Sequence, residues 1–170
     1  MNNTRIFLTL LTVFTLSFML TGCSNEVSKG ENTEESTAQV VSKDESLVIS
    51  INELTNTVHF YPVVVDDISM EVLAVLDSDG NVRTAFNTCQ ICYSSGKGYY
   101  EQSGDKLICQ NCGNEFTVNQ IEEEAGGCNP WPIFSADKTV TNDTLTISYD
   151  FLKESSELFG NWKASIDDHK

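Results

Sequence analysis

The sequence predicts a small, mostly β domain of the α+β class, built of antiparallel strands with one short C-terminal helix, and three observations predict it. From Glu45 onward, short apolar runs with β-branched residues at alternate positions are separated by Gly, Asp, Asn and Ser, the pattern of half-buried strands joined by tight turns. Only Phe151 to Phe159 spaces its apolar residues with a helical period. Two Cys-x-x-Cys pairs flank one further hairpin pattern.

Taken in chain order, residues 1–22 are set apart from the fold. Arg5 gives a positive start, Ile6 to Leu20 is apolar, and Leu20-Thr21-Gly22-Cys23 closes the run. The run is short for a membrane span, which needs about 20 residues, and reads as an export signal. Its ending resembles the bacterial lipobox, which implies cleavage before Cys23 and lipid on the Cys23 sulfur; an ordinary secretory signal with a chance cysteine is the alternative. Lipidation places the protein on the extracytoplasmic face of the cell membrane, with membrane lipid as its first partner. Residues 23–44, rich in Ser, Glu, Thr, Asn and Lys, read as the lipidated cysteine and a disordered acidic tether, and residues 45–170 as the folded domain.

Within that domain, Leu47, Ile49 and Ile51 alternate, then Val58 and Phe60, then Val72, Ala74 and Leu76. Ser78-Asp79-Gly80-Asn81 is a hairpin turn, since these residues tolerate positive φ, and Val82 to Phe86 returns from it. Gly98 to Gln102 and Lys106 to Cys109 form another pair across Ser103-Gly104-Asp105. Phe116 to Val118 and Leu145 to Tyr149 are further strands, and the helix follows.

Composition narrows the function. Ten Lys and Arg against 25 Asp and Glu give a formal charge of −15 over 170 residues. Such a chain repels phosphate backbones, which excludes nucleic acid as a partner. Two histidines, His59 and His169, exclude a His-rich metal site and Rieske-type ligation, and no nucleophile with a paired base is visible.

The chemistry therefore rests on cysteine. Cys89-Gln90-Ile91-Cys92 and Cys109-Gln110-Asn111-Cys112 are separated by 16 residues, inside the spacing of about 15 to 20 expected of a four-thiolate site. A two-residue gap lets one tight turn bring two sulfurs to one edge of a tetrahedron, and Gly113 suits that turn. The hairpin between the pairs makes a zinc-ribbon-like insertion. Zinc, a single iron and an iron-sulfur cluster all remain open. Disulfides within or between the pairs are the plainer reading in an oxidising compartment. A thioredoxin-type pair needs a helix N-terminus that neither motif offers. Cys128, in Gly126-Gly127-Cys128-Asn129-Pro130, is read three ways: a further metal ligand, a resolving thiol, or a buried structural residue.

The remaining motifs have modest readings. Gly96-Lys97-Gly98 lacks the spacing of a phosphate loop and is turn punctuation. One of Tyr99 and Tyr100 packs beneath the cysteine hairpin as aromatic cover, with ordinary strand burial the plainer reading. His59 and Tyr61 share a strand face, where a minor second metal site is conceivable. Asp66-Asp67 and Glu122-Glu123-Glu124 are solvated surface or a weak cation dock. Trp131 and Trp162 are core or rim aromatics.

Arg83 to Cys89, Cys92, Gly96 to Tyr100, Gly104-Asp105, Cys109 to Gly113 with Phe116, and Gly126 to Pro130 resemble the FtrD-like membrane iron-sulfur-containing domain, across roughly His59 to Ile133. The Gly-Gly-Cys-Asn-Pro loop beside both cysteine pairs separates it from generic zinc ribbons. The resemblance implies an iron or iron-sulfur centre, electron transfer or iron handling linked to ferrous-iron uptake, and a permease or a periplasmic redox protein as partner. The relatives in those systems carry several membrane spans, whereas this chain reads as lipid-anchored. A thiol-disulfide oxidoreductase using Cys128 with one pair, and a structural zinc-ribbon interaction protein, are the competing functions.

Overall fold

The computed structural model describes residues 37–123 and 126–164. The signal segment, Cys23, most of the proposed tether, Glu124 and His169 lie outside the described residues.

The strands are β1 (Gln39–Val40), β2 (Ser46–Ser50), β3 (His59–Val65), β4 (Ile68–Leu76), β5 (Val82–Cys89), β6 (Tyr100–Ser103), β7 (Lys106–Cys109), β8 (Glu115–Thr117), β9 (Pro130–Pro132), β10 (Thr139–Val140) and β11 (Thr144–Ser148). They form a central sheet in the order β1-β3-β4-β5-β9 and two three-stranded sheets, β10-β11-β2 and β6-β7-β8. Every pairing is antiparallel except β1 with β3. The single α-helix among the described residues, α1 (Tyr149–Ser155), continues as a 3-10 turn to Phe159. Its start is fixed by the Ser148 hydroxyl, which accepts the Phe151 amide at 3.3 Å.

Two apolar cores lie on opposite faces of the central sheet. Met70, Val72, Ala74 and Phe86 pack with Leu47, Ile49, Leu145, Ile147 and Leu152 from β2, β11 and α1. Leu73, Val75 and Ala85 pack instead with Tyr100, Leu107, Phe116 and Cys89, Cys92 and Cys109. With both faces covered, Met70–Val75 is buried at every position. The expectation of a half-buried strand there is corrected accordingly, because the cysteine hairpin covers the face that alternation assigned to water.

One further expectation changes. The segment assigned to a tether through Asp44 already belongs to the fold at Gln39–Val40, which pairs with Val63 and Val64, and Val41 is buried. Asp66-Asp67 is exposed, as expected of solvated surface; it forms a tight hairpin turn with both φ values positive, 47° and 65°, and the Asp66 carboxylate accepts from the Tyr149 hydroxyl and pairs with Lys153. At the predicted 78–81 turn, the Asp77 carboxylate accepts the Asp79 and Asn81 amides at 2.9 and 2.8 Å, with Gly80 at φ 81°.

Candidate metal centre

Each cysteine is placed by the end of an element. Cys89 closes β5, and Cys92 precedes a 3-10 turn at Tyr93–Ser95 that ends on Gly96 in the left-handed region. Cys109 closes β7, and the chain turns through Gly113, whose φ is 72° and whose amide donates to the Cys109 carbonyl at 2.8 Å. Cys112 lies in that turn. Cys128 arrives from the loop ahead of β9, behind Gly126 and Gly127 at φ 88° and 70°.

All five are free thiols. The sulfurs of Cys89, Cys92 and Cys109 lie within 4.8 Å of one another, and those of Cys92, Cys112 and Cys128 form a second such trio. The first trio is buried; in the second, Cys112 is exposed and Cys128 half-buried. Cys92 belongs to both. A tetrahedral ion with metal–sulfur bonds of about 2.3 Å separates its ligand sulfurs by about 3.8 Å, so either trio matches one face of such a shell.

Backbone amides converge on the sulfurs. Cys89 Sγ accepts from the amides of Ile91 and Cys92, the latter at 3.4 Å. Cys109 accepts from the amides of Asn111 and Cys112. The leading cysteine of each pair thus receives the amides two and three residues ahead, and Cys112 receives that of Asn114. These donors stabilise negative sulfur. A hydrogen bond from Cys109, outweighing burial and helped by the two amides, pulls the Cys89 thiol down to about 4. Cys109, which donates that bond and is buried, is held far above the usual thiol range. Burial raises Cys92. The Asn114 amide lowers Cys112, while Cys128, as hydrogen-bond partner of Cys112, is pushed up to about 12. Neighbouring thiols thus alternate between thiolate-prone and proton-holding states, because like charges at this separation resist ionising together. A bound cation removes that conflict and releases the remaining protons.

Tyr100, fully buried, is the aromatic cover expected from the Tyr99-Tyr100 pair. Its hydroxyl donates to the Cys128 carbonyl at 2.6 Å. Two residues given no role in the sequence reading hold the frame. Asn87 accepts the Tyr100 amide at 2.7 Å, donates to Glu71 at 2.6 Å, and its carbonyl accepts the Trp162 indole N–H at 3.0 Å. Gln90 fastens the Cys128 loop: its side-chain oxygen accepts the Gly126 amide at 2.9 Å and its own amide donates to Asn129 at 3.0 Å. A polar Asn-Thr step between the apolar Ala85-Phe86 and Cys89 was the available signal for Asn87. Nothing in the spacing marked Gln90.

Glu122 is not the solvated surface residue expected. Its side chain is 10% exposed and pairs with Lys138, itself 3% exposed; it also accepts the Thr84 amide and hydroxyl at 2.8 and 2.7 Å. Glu123 does remain exposed and bridges to Arg83. His59 contacts Thr55 at 3.2 Å and stacks on Tyr61; among the described residues only cysteines form groups of metal-ligand geometry. Trp131 packs edge-on against Tyr93 and Trp162 against Phe159.

Fold and site together define a small β protein whose cysteine cluster fits a metal centre. The chain belongs to the family described as membrane iron-sulfur containing protein FtrD-like, which matches residues 34–159. Searches of curated proteins and of solved structures found no match. Although the family is named for the membrane, no helix among the described residues is long and apolar enough to cross one.

Proposed function

We propose that this chain is a lipid-anchored, extracytoplasmic metal protein in which Cys89, Cys92, Cys109 and Cys112 hold iron or an iron-sulfur cluster, serving electron transfer or iron handling linked to ferrous-iron uptake. The observation that carries this reading is the pair of sulfur trios sharing Cys92, fed by amides that favour thiolate. Iron bound there supplies a one-electron couple. The protein's part is to set the potential through amide-to-sulfur hydrogen bonds and burial. Its negative charge favours the more positive, oxidised centre and steers cationic partners toward the site. The family name supports iron-sulfur content and membrane association. Lipid on Cys23 supplies the attachment, and a permease or redox protein is the partner.

The test is anaerobic purification followed by metal analysis and visible absorption. Bound iron with thiolate-to-iron charge-transfer bands supports the proposal. One equivalent of zinc in a colourless protein converts it to a structural ribbon, and a metal-free chain refutes it.

A further inference from the structure

A single tetrahedral ion takes four thiolates, and this site brings five sulfurs together. The surplus falls on the outer side. Cys89, Cys92 and Cys109 are buried, whereas Cys112 is exposed and Cys128 half-buried. Cys112 and Cys128 are 16 residues apart in sequence, yet their sulfurs lie 3.6 Å apart. The Asn114 amide points at Cys112, and Cys128 follows two glycines where an added Cβ would meet nothing within 4 Å. Closing 3.6 Å to a disulfide bond of about 2.05 Å needs a shift of about 1.5 Å.

We infer that Cys112 and Cys128 form a redox-active dithiol that exchanges with disulfides, and that its oxidation withdraws an outer ligand from the metal. The exchange stands on geometry alone; the withdrawal rests on the metal reading above. Cys112, the more exposed sulfur, attacks one sulfur of an aliphatic disulfide as its thiolate, forming a mixed disulfide and releasing the first thiol. Cys128 then gives up its proton and attacks the Cys112 sulfur, forming the Cys112–Cys128 bond and expelling the second thiol. The two cysteines lose two electrons and two protons, and the incoming disulfide becomes two thiols. Cys89, Cys92 and Cys109 are left as three ligands where there were four.

The test uses the full chain in detergent, reduced, stripped of metal and incubated with glutathione disulfide. After alkylation it is cut with trypsin and a Glu-specific protease. Cleavage after Lys106, Glu115, the 122–124 glutamates and Lys138 puts Cys109 and Cys112 on one peptide and Cys128 on another. The expected product is a linked pair two hydrogens lighter, assigned to Cys112 by fragmentation and absent from Cys112→Ser and Cys128→Ser. Preferential Cys89–Cys92 or Cys109–Cys112 bridges, or mixed disulfides alone, overturn the dithiol. In a second arm, zinc-loaded chain and zinc-loaded Cys128→Ser are oxidised before a zinc-binding dye. Release from the parent and retention by the variant are expected, and equal release from both overturns the withdrawal. A reduced parent chain that takes up no metal overturns the metal reading while leaving the peptide map to decide the dithiol.

Discussion

Replacing Lys138 by Met isolates one buried charge whose loss has a calculable cost. Lys138 and Glu122 are 3% and 10% exposed, and the ammonium also donates to the Thr84 hydroxyl at 2.8 Å and the Ile133 carbonyl at 3.2 Å. Methionine keeps most of the volume and removes the cation, leaving the Glu122 carboxylate, among the described residues, with the Thr84 amide and hydroxyl. Stripping one partner from a buried pair costs about 3–5 kcal/mol. At about 3 °C of Tm per kcal/mol for a domain of this size, that is a fall of about 9–15 °C in a circular-dichroism melt. The double variant Glu122→Gln with Lys138→Met replaces the charges by a neutral pair and should recover at least half of the loss. Glu122 sits at φ 67°, a region a side-chain-bearing residue adopts only when its contacts hold it there. Its segment leads into the loop carrying Cys128, so the single variant should also bind metal less tightly. A fall below about 3 °C, or a double variant as unstable as the sum of the singles, would refute the reasoning.

Other predictions follow from the same geometry. Gly98→Ala drives a Cβ to 2.8 Å from the Cys92 carbonyl carbon, backbone that cannot swing aside, so metal bound per chain should fall sharply while the melting curve stays cooperative. Cys92→Ser removes the sulfur common to both trios and should abolish metal binding, whereas Cys128→Ser should retain most of it; metal analysis after desalting compares them. For Asp77, burial acts to raise the carboxyl but is outweighed by hydrogen bonds from Asn81, Arg83 and the Asp79 amide, which hold it near 2 against an ordinary 3.8. A depressed acid contributes stability above its unfolded value and loses it as pH falls toward 2. Urea midpoints should therefore drop across that acid window, and Asp77→Asn should flatten the drop.

Much of the fold was legible because local rules sufficed. The 78–81 turn, the hairpin across Gly104 and the C-terminal helix follow from turn chemistry and periodicity, with boundaries shifted where Ile51 and Val118 enter 3-10 turns. What escaped was set by long-range packing. β4 looked half-buried because its second cover, the cysteine hairpin, comes from later in the chain. β9 is a Pro-Trp-Pro segment, and proline argues against a strand except at a sheet edge, which is where topology puts it. Asp66-Asp67 carried no glycine to announce positive φ. At the site, spacing brought out the cysteines. Gln90 and Glu122 act through partners 36 and 38 residues away, beyond the reach of any local pattern.

The contacts around Gly96 bear on when the centre can be completed. An added Cβ there would lie 1.9 Å from the Asn161 carbonyl oxygen. The Gly96 carbonyl accepts the Lys163 amide at 2.9 Å, and Trp162 reaches Asn87 beside Cys89. Residues that brace the first cysteine pair thus emerge from the ribosome some seventy positions after it. The bracing of this pair is therefore completed late in synthesis, and a nascent chain halted before residue 161 lacks these contacts.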